Sequence, residues 1–403
     1  MKFHAPLFPI ALCLMIGIVI GQNLESLTVA FLLLLLLLVV TALMWKWPKV
    51  QTACILSCVV VLGMVLSKGN PNRTDGRWMP EVVCQKFHRV KQNALEARKK
   101  LLKEYAHWNI DREARGVIAA MTLGDKSLLD RKVVKTYREV GVAHILALSG
   151  LHMMIIYAVV TMAIGWWRYR LLKEVVTILS MWAFAFLVGL SPSVVRSAFM
   201  ISVYALLSLG YREKMSVNTL AFTAIVMLVV NPGSLYDIGF QLSFTAVFAI
   251  LILNPIFAKI IPSHVLQEHR WLKVWWAITT VSVSAQLGTA PLVAYYFGTF
   301  STYFLLSNYL VVPMASVVLY LTLACLLAGW WTGLQQLLVM VLGWIVGIMN
   351  RVLEAISIFP KSSVEGITLS TLQLYLIYIL ISSLVVLLSL WVNRKYAKKL
   401  IEI

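Results

Sequence analysis

Residues 141–152 read G-V-A-H-I-L-A-L-S-G-L-H and lead into an apolar run that continues to Trp167. His144, Ser149, Gly150 and His152 thus stand at the mouth of a hydrophobic segment, where an unpaired polar group costs several kcal/mol in hydrocarbon. Such groups face a protein interior or a water-filled path. Ser149 and His152, three apart, share a face of a continuous helix, and His144, five and eight residues earlier, lies on a nearby face. Gly150 permits close packing or a break. Three chemistries suit this set: lining a polar route, hydrogen-bonding between helices as structural glue, or a serine nucleophile with a histidine base. The last needs hydrogen-bond reach and an oxyanion site. A helix holds side chains at i and i+3 too parallel for good base geometry.

Two more polar groups enter apolar runs. Arg196 stands in S-P-S-V-V-R-S, where Pro192 and Ser193 suit a helix N-terminus. Its guanidinium either snorkels to a surface or meets a polar cavity. Asp237, Gln241 and Ser243 stand in D-I-G-F-Q-L-S-F. Asp237 falls at a helix start, where the dipole tolerates its charge, and Gln241 follows one turn later. Gln286, Thr289, Asn308, Asn350, Arg351 and Glu354 are scattered farther on, and Arg351 and Glu354 are spaced to pair with each other. Cys13, Cys54, Cys58, Cys84 and Cys325 are spaced neither as a disulfide framework nor as a metal site. No metal and no cofactor are expected.

The elements that position these residues are membrane helices. Of 403 residues 60% are hydrophobic and 13% charged, and mean hydropathy is +0.84. That excludes a soluble domain, and the continuous apolar runs exclude the weak alternation of a membrane barrel. The expected fold class is an all-α polytopic membrane protein with about twelve transmembrane helices, some of which can be re-entrant. The spans fall near 7–22, 27–45, 51–67, 144–166, 172–189, 193–209, 216–231, 238–257, 274–297, 303–328, 334–355 and 370–392. The first is a membrane helix rather than a removed signal, since further spans follow it. Links carrying Lys46, Lys49, Arg168, Arg170, Lys173, Arg212, Lys214, Lys259, Arg270 and Lys273 alternate with links 23–26, 190–192, 232–237 and 298–302, which carry no Lys or Arg. The tail adds Arg394, Lys395, Lys398 and Lys399. The positive-inside rule then places both termini in the cytoplasm. The 329–333 link carries no charge to support its inner position.

Residues 68–143 fall outside by this alternation, yet hold 17 Lys and Arg against 9 Asp and Glu; long links cross regardless of charge. Glu81–Tyr105 reads as a basic amphipathic helix, with Phe87, Val90, Ala94, Leu101 and Tyr105 on one stripe. Lys86, Arg89, Lys91, Lys99, Lys100 and Lys103 form the outer basic patch. It either lies on anionic headgroups of the lipid bilayer or funnels a polyanion. Ala114–Val140 is a second amphipathic segment, punctuated by Gly124-Asp125-Lys126-Ser127. Ser127 and Asp130 have capping-box spacing for a new helix. The G-x-x-x-x-G-K-[ST] phosphate loop is absent, so no nucleotide hydrolysis is expected.

With these motifs in order, the chain resembles the ComEC family, the inner-membrane channel of bacterial DNA uptake. The resemblance rests on G-V-A-H-I-L-A-L-S-G-L-H at 141–152, P-S-V-V-R-S-A-F-M at 192–200 and D-I-G-F-Q-L-S-F-T-A at 237–246, with G-D-K-S at 124–127 and the opening P-L-F-P-I…G-I-V-I-G. It implies a channel passing single-stranded DNA into the cytoplasm. Larger family members carry an OB-type domain after the third span and a metallo-β-lactamase-like domain at the C-terminus. Here the first link is helical in pattern and no H-x-H-x-D-H cluster occurs. The expectation is a short form whose nuclease, and a helicase or motor, are separate chains.

The domain map expected is a three-helix region at 1–67, outer basic helices at 68–143, a channel core at 144–392 and a basic cytoplasmic tail at 393–403. The leading reading is a DNA-translocating pore of the bacterial inner membrane, not an enzyme. Its path candidates are His144, Ser149, Gly150, His152, Arg196, Asp237, Gln241 and Ser243. The alternatives are a transporter for another anion, a membrane assembly protein and, as a minor reading, an intramembrane serine hydrolase.

Overall fold

The computed structural model describes residues 5–23, 27–44, 47–68, 81–209 and 217–401. Lys46, Trp78, Arg212 and Lys214 lie outside these, as do the side chains of Lys86, Phe87, Arg394, Lys395, Lys398 and Lys399. In chain order the helices are α1 (Leu7–Gln22), α2 (Leu27–Leu43), α3 (Pro48–Lys68), α4 (Glu81–His107), α5 (Arg112–Leu123), α6 (Arg131–Glu139), α7 (Gly150–Ala163) and α8 (Arg170–Leu187). They continue as α9 (Pro192–Leu209), α10 (Val217–Val230), α11 (Ile238–Ala258), α12 (Ser263–Glu268), α13 (Arg270–Phe297), α14 (Phe304–Leu327), α15 (Thr332–Ser357) and α16 (Thr371–Ile401). The protein is an all-α membrane protein. A helix forms at each of the twelve expected apolar segments. Among the described residues six, α3, α11, α13, α14, α15 and α16, are long and apolar enough to cross a bilayer, and five other apolar helices are shorter.

Among the described residues the one departure from all-α is a two-stranded ribbon of three residues per strand. Strands β1 (Thr299–Ser301) and β2 (Ser363–Glu365) pair antiparallel, Phe300 opposite Val364. Gly298 and Gly366, both at positive φ, turn the chain out of α13 and toward α16. Strands this short carry no readable alternation.

The chain divides into two units, 1–89 with 199–244 and 90–198 with 245–403. In the first, α1 and α3 touch backbone to backbone. A Cβ at Gly17 would lie 2.0 Å from the Val60 carbonyl oxygen, and one at Gly63 2.5 Å from that of Leu14. Small residues allow this approach, which lipid-immersed helices need because no hydrophobic force drives them together. α1 also meets α10, where the Leu7 amide donates to Asn218 Oδ1 at 3.1 Å.

In the second unit α5 is the centre. Asp111 caps it by accepting from the Glu113 amide, and Gly124 ends it in the left-handed region at φ 68°. All residues from Gly116 to Leu123 are buried. They share one core with Tyr105, Trp108, Val133, Tyr137, Val142, Ile145 and Leu146, and with Val311, Ala315, Val318 and Cys325 of α14 and Val339 to Ile356 of α15. The link helices are therefore packed into the helix bundle rather than resting on it. The new helix after the Gly124 turn begins at Arg131, capped by Asp130, and Ser127 instead donates to Asp125. The Ser127–Asp130 capping box of the sequence reading does not form. Nor does an Arg351–Glu354 pair define α15: Glu354 accepts from Lys132 Nζ at 2.5 Å, and Asn350 accepts from the Tyr137 hydroxyl at 2.7 Å. Both bonds fasten α6 along α15.

Candidate functional site

The expected span 144–166 is broken. Gly141 takes φ 80°, Ala143–Ile145 form one 3-10 turn, and the helix starts only at Gly150. Val142, Ile145, Leu146 and Leu148 are at most 4% exposed. Their burial fixes an irregular backbone inside protein, the setting in which a non-helical segment is tolerated at membrane depth. His144 is exposed and hydrogen-bonds to the backbone of Gly141. It lies within electrostatic reach of His152.

Ser149 is the N-cap of α7 rather than a helical residue. Its extended backbone lets its hydroxyl sit 2.9 Å from Nδ1 of His152, and its own amide donates to the same Nδ1 at 3.1 Å. The parallel geometry expected of two helical side chains is thus corrected. A backbone amide can only donate, so Nδ1 is the unprotonated nitrogen and the proton of the neutral ring is on Nε2. Nε2 is buried with no hydrogen-bond partner, in a side chain that is 0% exposed. Two donors share the single lone pair of Nδ1, and protonating it would strand the Ser149 amide. This arrangement caps a helix and opposes use of His152 as a base.

Three loops converge here. A Cβ at Gly124 would meet the Leu148 side chain at 2.7 Å, and the Ser193 hydroxyl donates to the Leu148 carbonyl at 2.6 Å. A Cβ at Gly150 would stand 3.4 Å from Ser197 Oγ. The stretch Leu148–Gly150 therefore touches both the Gly-Asp-Lys-Ser turn and the start of α9. α8 ends in a Schellman turn, with the Leu190 amide on Ala185 and the Gly189 amide on Phe186. Both residues have positive φ, 85° at Gly189 and 58° at Leu190. A non-glycine residue held there costs about 1–3 kcal/mol and persists only where the surroundings impose it.

Arg98 of α4 completes the junction. Its Nη2 reaches Asp125 Oδ2 at 3.4 Å, and its Nη1 would lie 3.6 Å from a Cβ at Gly189. Asp125 Oδ1 accepts from the Ser127 amide at 2.8 Å and hydroxyl at 2.5 Å. Burial alone would raise the Asp125 carboxyl, but the Ser127 bonds and the Arg98 charge together hold it below its usual value. Arg98 is absent from the sequence-derived basic patch. The signal for it is its position: it falls on the inward stripe with Ala94, Leu101 and Tyr105, where a cation is unexpected.

The other residues fall as follows. Arg196, one turn into α9, is 6% exposed, so it does not snorkel to the surface. Asp237 accepts from the Phe240 amide at 2.6 Å and caps α11 as expected. Gln241 donates to the Leu235 carbonyl at 2.9 Å, and Ser243 donates to Phe240 at 3.3 Å. These three belong to the first unit and the junction to the second. In the basic patch Arg89, Lys99, Lys100 and Lys103 are exposed and Lys91 is half-buried. Among the described residues no cluster of His, Cys, Asp and Glu could hold a metal.

A sequence profile of the competence protein family matches residues 121–392. The chain belongs to the competence protein family. Among curated proteins it is 30% identical over 233 residues to ComE operon protein 3 of Bacillus subtilis, covering 57% of this chain and 28% of that protein. An uncharacterized protein of Aquifex aeolicus is 30% identical over 186 residues, 46% of this chain and 41% of its own. An uncharacterized Mycoplasma pneumoniae protein is 25% identical over 120 residues, 29% of this chain and 30% of its own. The chain thus spans well under half the length of these relatives. No solved structure matches it. The competence profile takes in Asp125, Ser149, His152, Gly189, Arg196 and Asp237, and it leaves Arg98 and the rest of α4 outside.

Proposed function

We propose that this competence-family protein is an inner-membrane channel that passes single-stranded DNA into the cytoplasm, with both termini cytoplasmic and twelve membrane-embedded helices. The observation that supports it most is the junction, where three motif segments of the family contact in series and the first of them, at Asp125, is reached by Arg98 of the basic helix. A single strand needs a basic approach and contacts tolerant of sequence. α4 supplies exposed lysines up to the junction, and the broken segment 141–149 supplies polar groups below them. At about 1.5 Å per residue the 14-residue α7 is about 21 Å long, short of a hydrocarbon core of about 30 Å. The irregular residues before it make up the difference, in the manner of discontinuous helices around a transported ligand. The chain acts without hydrolysing nucleotide or DNA; a helicase or motor and a nuclease are separate partners.

The test is entry of fluorescent DNA into the cytoplasm of cells carrying the wild-type chain, His144→Ala or a deletion. Deletion is expected to abolish entry, and His144→Ala to reduce it at normal protein level. Reversing Lys99, Lys100 and Lys103 to Glu is expected to reduce entry as well. Normal import in the deletion strain sinks the reading and moves transport of another anion, or an assembly role, to first place.

A further inference from the structure

Arg98 is poorly used by the protein around it. A guanidinium presents five N–H donors in a planar fork suited to bidentate pairing with carboxylate or phosphate. Here its contact with Asp125 is a single one at 3.4 Å, long for a charge-assisted bond. Its Nε is buried with no hydrogen-bond partner. Asp125 in turn is held by its own loop, since Oδ1 already takes two donors from Ser127. The pair is not closed off: the two side chains are 20% and 19% exposed.

The surroundings favour an anion. Lys99 and Lys100 follow Arg98 in the chain and Lys126 follows Asp125, all exposed, so with exposed Glu96 counted these stretches are still net cationic once the ion pair cancels. Lys91 lies seven residues, about 10.5 Å, up the same helix face. The opposing wall is the left-handed turn at Gly189 and Leu190, with the Arg98 guanidinium 3.6 Å from the place a Cβ at Gly189 would take. Two residues on, the Ser191 hydroxyl is buried without a partner.

We propose that Arg98 is a phosphodiester-binding residue at the head of the translocation path, and that Asp125 is its competitor. This rests on the DNA reading above. A backbone phosphate entering between α4 and the 188–191 turn takes the donors that Asp125 leaves unused, and the guanidinium moves from the carboxylate to the phosphate. Asp125 keeps its Ser127 bonds meanwhile, so the loop stays folded. The exchange of one anionic partner for another lets a strand advance phosphate by phosphate without a deep binding well.

Binding of a fluorescein-labelled oligothymidylate to the purified full chain, followed by anisotropy across a salt series, tests this. Arg98→Gln is expected to weaken binding several-fold and to flatten the salt slope by about 0.7, the share of one single-strand phosphate contact. Arg98→Lys is expected to keep the slope and lose only part of the affinity. Asp125→Asn is expected to bind as tightly as wild type or tighter, because the competitor is gone. If Asp125→Asn weakens binding as much as Arg98→Gln, the pair is structural and the proposal is overturned. Wild-type affinity in Arg98→Gln overturns it too, leaving the channel reading intact. A wild-type chain that binds no oligothymidylate overturns both.

Discussion

The α1–α3 seam and the junction around Ser149 both bring backbone close to backbone, by opposite means. At the seam Gly17, Gly21 and Gly63 remove side chains, and helix meets helix with the nearest atoms at the Val60 and Leu14 carbonyls and the Ser67 hydroxyl. At the junction the elements are ends and turns, and the contacts are hydroxyls, an imidazole and an ion pair. The seam gains dispersion, and among the described residues it leaves no buried side-chain nitrogen or oxygen without a partner. The junction leaves His152 Nε2, Arg98 Nε and Ser191 Oγ buried without partners. Stability alone selects against such atoms, since each costs about 1–3 kcal/mol. The difference separates a tightly closed helix seam from a junction that keeps polar groups unpaired.

The largest effect that would sharpen this contrast is at the seam. A Leu at Gly17 needs space now filled by the Val60 carbonyl, and moving backbone in a packed interface costs about 3 kcal/mol. Gly17→Leu is expected to lower the thermal midpoint in detergent well below wild type and to reduce monodisperse yield. A midpoint equal to wild type would mean that α1 and α3 lie farther apart in the membrane than the seam requires.

Next in size is His152→Ala. It removes the acceptor of the Ser149 amide and hydroxyl, and a stranded buried donor costs about 1–3 kcal/mol. Ser149→Ala removes one cap contact and keeps the amide bond, so about 1 kcal/mol is expected. Thermal unfolding in detergent should rank the two in that order, with DNA entry reduced in both. Fluorophosphonate labelling of wild-type Ser149 would instead revive the hydrolase reading and break the capping account.

How much of this was legible in the sequence follows from the same contrast. Helix positions were legible because apolar length reports them, and Asp237 because a carboxylate before an apolar run caps a helix. The break at 141–149 was not. Val142, Ile145, Leu146 and Leu148 are as apolar as helix residues, and hydropathy cannot tell a buried loop from a buried helix. Arg98 was hidden among Lys99, Lys100 and Lys103, although its place on the apolar stripe marked it. Glu354 is three residues from Arg351, yet its partner Lys132 is 222 positions away, a distance that spacing rules do not reach.

The smallest effect tests the junction by pH, to which the glycine contacts of the seam offer no titrating group. Asp125 is held below its ordinary value of 3.8 by Ser127 and Arg98, against the opposing effect of burial. A carboxyl depressed on folding adds stability that is present above its unfolded value and is lost as pH falls through the folded one. Burial opposes the ionised form and the Arg98 contact is long, so the gain is small. The wild-type midpoint should therefore exceed that of Asp125→Asn by a small, constant margin near neutral pH. That margin should shrink as pH drops below about 4, where the wild-type carboxyl takes up its proton. Gly17→Leu should show no such convergence with wild type. A margin between wild type and Asp125→Asn that persists into acid would mean the carboxylate's charge is not what holds the 124–127 turn, and that the hydrogen bonds from Ser127 suffice without it.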